Sequence, residues 1–435
     1  MRVMKDSGIE WIGQIPQEWN LERLKFHADF NPATELPVLA DEEDVSFVPM
    51  DHLKSGFHIQ SMVPYSKVKK GYVCFADGDV LMAKVTPCLE NGNLAIAENL
   101  REGIGFGSTE INVVRCKTIA NRFLFYLLQC PTYIEKAQYN MYGVAGLKRL
   151  DPEFIPNSYF PIPSEEEQIR IASYVDVKCA EIDALIVAKE KTNALLKERR
   201  QSIIYEAVTK GLNPDAPMKD SNVFWIGHIP GHWDMTRLKF YATIRTGFTL
   251  GKRYDASEEL QEYPYLRVAN VQGEYTDLTN LTTIYMPVSE AEQYKLHAGE
   301  LLMTEGGDRD KLGRGSVWHG EIPDCLHQNH VFALATKEQL NVEYLSYLTT
   351  SSVGRDYFDF TAKKTTNLAS TNVTTILEFK IPFPSREEQD QIVAFLNTEC
   401  GAIDELMARN DDTIAALKEY RQSVIYEAVT GKIEV

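Results

Sequence analysis

The feature that most constrains this chain is a long stretch that occurs twice. Residues 164–209 and 385–430 align without a gap at a constant separation of 221 residues, and their last ten residues, RQSIIYEAVT and RQSVIYEAVT, differ by one methylene group. Each copy is 46 residues long, and as a single helix it would extend for roughly 70 Å. Helices of globular proteins are usually much shorter, so the length favours two long helices that pack on each other.

Both copies carry the signals of helix ends. Ser–x–x–Glu capping boxes begin at Ser164 and Ser385, each directly after a proline. Gly211 and Gly431 follow the last periodic residues, and Pro214 blocks continuation of the first helix. The sequence therefore predicts one uninterrupted helix in each copy.

Apolar residues in both copies follow a heptad-like spacing that polar residues interrupt. The apolar seam positions are Ile171, Val175, Ile182, Leu185, Leu196 and Ile203 in the first copy, and Ile392, Leu396, Ile403, Leu406, Leu417 and Val424 in the second. The interrupting positions are Lys178, Lys189, Arg199, Glu399 and Asn410. Two imperfect seams of this kind would pack best against each other, with the polar positions fixing the register. In an antiparallel pair, Lys189 and Asn410 would meet near the crossing.

A shorter repeat precedes each variable segment. Residues 4–28 return as 218–242, now at a separation of 214, with paired tryptophans around a proline turn that predict packing anchors. The variable segments 29–163 and 243–384 differ, and the second is seven residues longer. A duplicated scaffold with two different inserts suggests two related modules that bind two different things.

Each variable segment combines short strand-like runs, bounded by Gly, Pro, Asn or Asp, with a helical stretch near its end. The predicted fold class is therefore α/β of the α+β type. It comprises two globular domains separated by two long antiparallel coiled-coil helices in an internal pseudo-twofold repeat. The predicted divisions are a first domain at 1–163, a long helix at 164–213, a second domain at 214–384 and a second long helix at 385–435.

Composition bounds the protein class. Hydrophobic residues make up 44% of the chain and charged residues 25%, as in ordinary globular proteins, and no window approaches 18 uninterrupted apolar residues. The first residues lack a signal-peptide core, and seven cysteines without a CxxC pair fit a reducing compartment. We therefore expect a cytoplasmic protein that does not associate with membranes.

The net charge of −17 bears on any nucleic-acid partner. The four predicted divisions carry −4, −1, −6 and −6, so none is net basic. A DNA-binding surface would then have to be a local patch, or a partner subunit would have to supply much of the positive charge.

No complete catalytic or nucleotide-binding motif occurs in the sequence. GFTLGKR at 247–253 has the wrong spacing for a phosphate-binding loop. His327 and His330 are three residues apart, but their stretch resembles a loop that enters a strand, which disfavours a metal site. We therefore predict that the chain is not itself an enzyme and binds no metal.

Several turns concentrate side chains that suit the reading of polynucleotide edges. Arg and Lys can bind guanine, Asn and Gln adenine, and Glu or Asp the cytosine amine, while other basic residues can contact phosphate. The candidate base-reading residues are Lys84, Thr86, Glu90, Asn91 and Asn93, and Glu305, Asp308, Arg309, Asp310, Lys311 and Arg314. The candidate phosphate contacts are Lys67, Lys69 and Lys70 beside Tyr72, Lys148 with Arg149, and Lys363 with Lys364. Any one of these turns taken alone could be a solvated loop.

These residues resemble the specificity subunit of a type I restriction–modification system over essentially the full chain. WIGxIPxxW before each variable segment and the IPxPSxxEQ-type lead into each long helix resemble that family's common regions. TPCLENG, TEGGDRDKLGRG and HQNH, which contains Gln328 and Asn329, resemble stretches of its target-recognition domains. By this resemblance Gln328 and Asn329 join the candidate DNA contacts.

The resemblance implies a function and a set of partners. Each globular domain would be a target-recognition domain that reads one half of a bipartite site in double-stranded DNA, while the helices set the spacer. Two methyltransferase subunits that use S-adenosylmethionine would dock on the chain, followed by motor–nuclease subunits that use ATP and Mg²⁺. The chain would bind none of these cofactors directly.

Two other classes of function stay open at this point. The first is a coiled-coil adaptor with two protein-binding heads. For the helices alone, the plainest interpretation is a coiled coil that serves only as a dimerisation rod, which the large globular segments between them disfavour. The second is a stand-alone enzyme, for which no complete motif is found.

Overall fold

The first half of the chain folds into short strands and helices that lead into one long helix. The strands are β1 (Met4–Asp6), β2 (Gln14–Pro16), β3 (Asn20–Arg23), β4 (Ala28–Phe30), β5 (Asp44–Val48), β6 (Ser61–Pro64), β7 (Val73–Ala76), β8 (Val80–Ala83), β9 (Leu94–Ile96), β10 (Ile104–Gly107), β11 (Ile111–Cys116), β12 (Met141–Val144), β13 (Leu147–Leu150) and β14 (Tyr159–Ile162). The helices are α1 (Tyr65–Val68), α2 (Asn121–Gln129), α3 (Pro131–Tyr139), α4 (Phe154–Asn157) and α5 (Glu165–Lys210), with 3-10 turns at Leu24–Phe26, Met50–His52 and Arg101–Gly103.

The second half follows a similar order, with a 3-10 turn at Glu292–Tyr294 in place of β7 and with one extra strand at Gly306–Gly307. Its strands are β15 (Met218–Asp220), β16 (His228–Pro230), β17 (Asp234–Arg237), β18 (Ala242–Thr246), β19 (Leu260–Leu266), β20 (Thr282–Pro287), β21 (Glu300–Thr304), β22 (Gly306–Gly307), β23 (Gly315–Trp318), β24 (Leu326–His327), β25 (Val331–Thr336), β26 (Lys363–Lys364), β27 (Ala369–Ser370) and β28 (Lys380–Phe383). Its helices are α6 (Val288–Ala291), α7 (Val342–Thr350), α8 (Ser352–Thr361), α9 (Val373–Leu377) and α10 (Arg386–Val429), with 3-10 turns at Leu238–Phe240, Val268–Asn270 and Glu292–Tyr294.

The structure is a computed structural model, and it describes residues 2–33, 39–144, 146–255, 258–307, 312–313, 315–364 and 369–435, with the side chains of 307 and 364 excepted. The chain divides into two compact units. The first unit comprises Met1–Glu190 with Asp411–Val435, and the second comprises Lys191–Asn410. Each unit therefore contains one globular domain and a segment of both long helices. No helix among the described residues is long and apolar enough to cross a membrane.

Each globular domain is built on a four-stranded antiparallel sheet with the same strand order. In the first unit the order is β4-β11-β8-β9, and in the second it is β18-β25-β21-β23. A second sheet in each domain contains one parallel pair, β5 with β10 in the first and β19 with β24 in the second. These mixed sheets beside helices confirm the predicted α+β class.

The repeated regions form the hydrophobic core of each unit around a fully buried tryptophan. In the first unit Trp19 packs in a cluster with Val175 from the start of α5 and Val429 from the end of α10. In the second unit Trp233 packs with Val208 from the end of α5 and Ile392 from the start of α10. Since the start of one long helix meets the end of the other in each unit, the two helices run antiparallel. The predicted role of the paired tryptophan regions as packing anchors agrees with this core.

The inward seam of the long helices differs from the predicted seam at every second position. Cys179, Ile186 and Arg200 point inward, whereas the predicted seam has the residue before each of them. Ile186 is only 8% exposed, while Leu185, which was predicted to be buried, is 55% exposed. Leu406 is likewise exposed. The inward positions are separated by alternating steps of four and three residues. The prediction applied these steps in the opposite order, which placed every second seam position one residue too early.

Polar contacts within each unit fix the register of the two helices. Asp183 pairs with Arg421 at 3.0 Å in the first unit, and Arg200 pairs with Asp404 at 3.0 Å in the second. These are the same contact, because both residues of one pair lie 221 positions from those of the other. In the second unit the buried Asn410 amide donates to the Asn193 side-chain oxygen at 2.8 Å, so Asn410 has a buried polar partner that the sequence did not single out.

Candidate nucleic-acid interface

In the first domain, the loop after β8 is joined to the β12–β13 hairpin. The Thr86 hydroxyl donates to the Gly146 carbonyl at 2.8 Å and accepts from the Lys148 backbone N–H at 2.9 Å. An isolated bridge pairs Val85 with Arg149. The candidate residues 84–91 and the basic pair at 148–149 are thus brought together, although they lie about 60 positions apart in sequence.

The β12–β13 hairpin exposes apolar side chains near its tip. Val144 is 84% exposed and Leu147 77%, and Tyr142 is also exposed. Gly143 has φ +146°, and a Cβ there would lie 2.1 Å from the Leu147 carbonyl oxygen, so only glycine fits. The DNA contacts predicted from the sequence are polar or charged side chains and do not include these apolar residues. The signal that could have found the hairpin is the glycine pair in MYGVAGLKR.

Basic and polar candidates in this domain lie on three elements: the hairpin, the loop after β8, and α1 with the residues that follow it. Lys148 is exposed on the hairpin, and the exposed Arg149 binds Glu110, with Nε to Oε2 at 3.0 Å. Glu90 and Asn91 are exposed in the loop after β8. Lys67, Lys69 and Lys70 instead lie on or directly after α1, beside the sheet that contains β6, and Lys69 pairs with Asp41 at 2.6 Å.

The second domain joins the equivalent segments by strand pairing. After β21, β22 pairs with β27, and β27 pairs with β26, so that Gly306 and Lys363 both lie opposite Ser370. The Glu305 carbonyl also accepts from the Thr371 backbone N–H at 2.8 Å. Val85 and Gly306, like Arg149 and Ser370, are 221 positions apart. Both domains therefore present the same two segments side by side, with different residues in each.

The HQNH stretch lies beside the paired strands β22, β27 and β26 in the second domain, because Glu305 directly precedes β22. The His330 ring pairs with the Glu305 carboxylate, and the Asn329 amide lies 3.3 Å from the other nitrogen of that ring. The Gln328 side-chain oxygen accepts from the Val268 backbone N–H at 3.1 Å, which occupies this oxygen within the domain. Glu305, Asn329 and His330 are thus brought together, while the side-chain amide oxygen of Gln328 holds a neighbouring segment.

His327 has a different environment from His330. It is fully buried, and its Nδ1 lies 2.9 Å from the Tyr294 carbonyl oxygen. Burial lowers the pKa of His327 to about 4, so the ring is neutral at pH 7. No group of three His, Cys, Asp or Glu side chains able to hold a metal ion occurs in the part of the chain that the structure describes.

Five candidate residues of the second domain lie outside the described residues, namely Arg309, Lys311, Arg314, Asp308 and Asp310. Lys363 is exposed on β26, and for Lys364 only the backbone is described. Their role as DNA contacts stays a prediction.

The Thr86 hydroxyl gives a direct test of how the loop and the hairpin are joined. We expect Thr86→Val to remove one acceptor and one donor at unchanged side-chain size, and so to speed amide hydrogen exchange in residues 146–149 by roughly fivefold, the equivalent of about 1 kcal/mol. Thr86→Ser keeps the hydroxyl and serves as the control. Equal exchange in all three proteins would show that the hydroxyl does not hold the hairpin.

The fold and the paired loops define a class of protein. It is a duplicated chain in which two related domains, each packed on the same pair of long helices, present different residues from equivalent positions.

Comparisons with known proteins show which family the chain is similar to. Residues 230–414 match the family model of the type I restriction modification DNA specificity domain. The chain is 24% identical to the type I restriction enzyme EcoEI specificity subunit of Escherichia coli, over 91% of this chain and 80% of that protein. The resemblance inferred from the sequence motifs is thereby confirmed.

Solved structures support the same fold. A chain from a structural study of complex assembly and conformational transition in the type I R-M system aligns with a TM-score of 0.72 at 18% identity, over 96% of this chain and 99% of that chain. The HsdS subunit from Thermoanaerobacter tengcongensis aligns with a TM-score of 0.53 at 18% identity, over 96% and 98%.

Proposed function

We propose that this chain is the DNA specificity subunit of a type I restriction–modification complex. Each globular domain reads one half of a bipartite site in double-stranded DNA, and the long helices set the spacer and dock methyltransferase subunits. The family match and the relatives named as specificity subunits support this function.

One structural observation carries the proposal. In both domains, the segment after the equivalent strands β8 and β21 is joined to a strand hairpin. The contact is between Thr86 and Lys148 in the first domain and between Gly306 and Ser370 in the second. The framework of this surface is duplicated, while the side chains that it presents differ. Two readers of different half-sites need this combination, because phosphate-facing geometry can be shared whereas base-reading groups must change.

The hairpin of the first domain suits a nucleic-acid groove. Exposed Val144 and Leu147 at its tip can contact thymine methyl groups or base faces, and Lys148 beside them can contact phosphate. The same apolar tip would suit a protein partner, which is the adaptor alternative. That alternative is not favoured, because the full-length relatives are specificity subunits.

The acidity of the chain supports a dependence on partner subunits. With a net charge of −17, the chain repels DNA at long range and needs positive charge from elsewhere. We infer two methyltransferase subunits, and motor–nuclease subunits in the full complex, as the partners. S-adenosylmethionine, ATP and Mg²⁺ would belong to these partners, the chain itself would be non-catalytic, and the complex would act in the cytoplasm.

Measurements of DNA binding and genome methylation test this function. The chain alone should bind DNA weakly, and addition of the methyltransferase subunit should tighten binding, with a steep loss of affinity as salt rises. A host that expresses the methyltransferase should show methylation at a bipartite site only when this chain is present. Specific nanomolar binding by the isolated chain at physiological salt, or an identical methylome without it, would contradict the proposal.

A further inference from the structure

A charged cluster in the second unit joins the recognition domain to both long helices. Arg200 on α5 donates from Nη1 to Glu274 Oε1 at 2.9 Å, and its Nη2 contacts the second oxygen of the same carboxylate. Its Nε lies 3.0 Å from Asp404 on α10. Glu274 is in the turn between β19 and β20, so one guanidinium group connects the domain with the two helices.

The arginine of this cluster is largely buried, while its carboxylate partners are more open to solvent. The Arg200 side chain is 12% exposed, against 34% for Glu274 and 49% for Asp404, and both guanidinium edges face carboxylates. Bidentate arginine–carboxylate pairs fix direction as well as distance, and partial burial reduces the screening that weakens surface ion pairs. A contact of this kind can hold the domain in one orientation on the helices.

Glu274 lies in a backbone conformation that is costly for a residue with a side chain. Glu274 has φ +78°, a left-handed conformation that residues other than glycine rarely adopt. It sits in a short turn between Val271 and Thr276, which form a bridge, and its N–H donates to the Gly315 carbonyl at 3.0 Å. Glycine would satisfy this turn without strain, so glutamate here carries a conformational cost that its contact with Arg200 can offset.

The first domain has glycine at the matching position. Leu53 and His58 form the equivalent bridge, and between them Gly56 has φ +91° and donates to the Leu94 carbonyl at 2.8 Å. The first unit keeps the arginine–aspartate contact, with Arg421 on Asp183. Gly56 has no side chain that could bind Arg421. The contact of Glu274 with Arg200 therefore distinguishes the second unit from the first.

We infer that Glu274 is a positioning residue that fixes the second recognition domain on the long helices and thereby sharpens selection of the spacer between the two half-sites. The inference rests on the proposed function. Glu274 need not touch DNA for this role, since it acts through Arg200. The simplest competing explanation is that the ion pair only contributes to the stability of the fold.

Two substitutions separate positioning from stability. Glu274→Gly removes the carboxylate and also relieves the strained backbone, whereas Glu274→Gln removes the charge and keeps the strain. Both should relax spacer selection, but only the glutamine variant should lower the unfolding midpoint. Glu262→Gln, an exposed carboxylate on neighbouring β19, is the matched control.

The assay uses the complex of the full chain with its methyltransferase subunits. Methylation rates are compared on DNA with the wild-type spacer and with spacers one base pair shorter or longer, after the site has been defined by methylome mapping. We expect the preference for the wild-type spacer to fall about tenfold in both Glu274 variants, as the loss of one charge-assisted contact implies. Discrimination against changes in the first half-site should stay at its wild-type level, as should spacer preference in the control.

The outcomes distinguish the inference from the function on which it rests. Wild-type spacer preference in both variants would overturn the inference alone. A uniform loss of methylation on every substrate, in step with a lowered unfolding midpoint, would also overturn it in favour of a purely structural role. If the wild-type complex methylates no bipartite site, the proposed function fails and the inference fails with it.

Discussion

Exchange of residues 243–380 for the corresponding segment of a related chain is expected to change one half of the DNA target and leave the other half unchanged. The exchanged segment lies within the second unit, from β18 to the start of β28. The first variable segment is untouched, and both long helices remain, so the spacer should also be preserved. The readout is methylation mapped across a genome with the chimera as the sole specificity subunit.

The C-terminal junction of this chimera lies at the start of a strand whose partner strand is retained. Lys380 opens β28, which pairs with the retained β17, with Arg237 opposite Lys380. The reciprocal exchange of 29–159 is the control, because Tyr159 opens β14 and lies opposite Arg23 in the same way. Changes in both half-sites from one exchange would show that the domains are not independent readers. An unchanged target would show that the second insert does not read DNA, and would favour the adaptor alternative.

Insertion of four residues after Lys191 in α5 is expected to abolish modification at the original target. The insertion lengthens the helix by about 6 Å and rotates the C-terminal part of α5 by about 40°. It lies just before Asn193 and Arg200, so it displaces the buried contact with Asn410 and the ion pair with Asp404. Modification should then be lost, or move to a site with a longer spacer.

A matched control places the same four residues between Leu212 and Ala216. This exposed segment lies after the end of α5 and before β15. An insertion here leaves the seam between the helices intact, so the wild-type target and spacer should be retained. Modification of the original target by the α5 insertion variant would contradict the role of the helices in setting the spacer.

The duplicated architecture and the two long helices could be predicted from the amino-acid sequence. Helix ends are specified by local signals, and the structure contains the predicted caps: the Ser164 and Ser385 hydroxyls accept from the backbone N–H groups of Glu167 and Glu388 at 3.4 and 3.2 Å. Periodicity predicted that the helices pack on each other. The α+β class was predicted from short strand-like runs that alternate with turn residues.

Contacts between groups far apart in the chain could not be predicted from the sequence and are seen only in the folded protein. The Glu167 carboxylate accepts from the Trp19 indole N–H at 3.0 Å, a contact across 148 positions that no local spacing predicts. The seam register, with Ile186 in place of Leu185, was set by the partner helix. The Thr86 hydroxyl accepts a hydrogen bond from the backbone of Lys148, about sixty positions later, and Glu274 pairs with Arg200 on α5. Helix caps and hydrophobic periodicity depend on residues that are near each other in sequence, so they can be predicted from it. Contacts between residues far apart in sequence form only when the chain has folded.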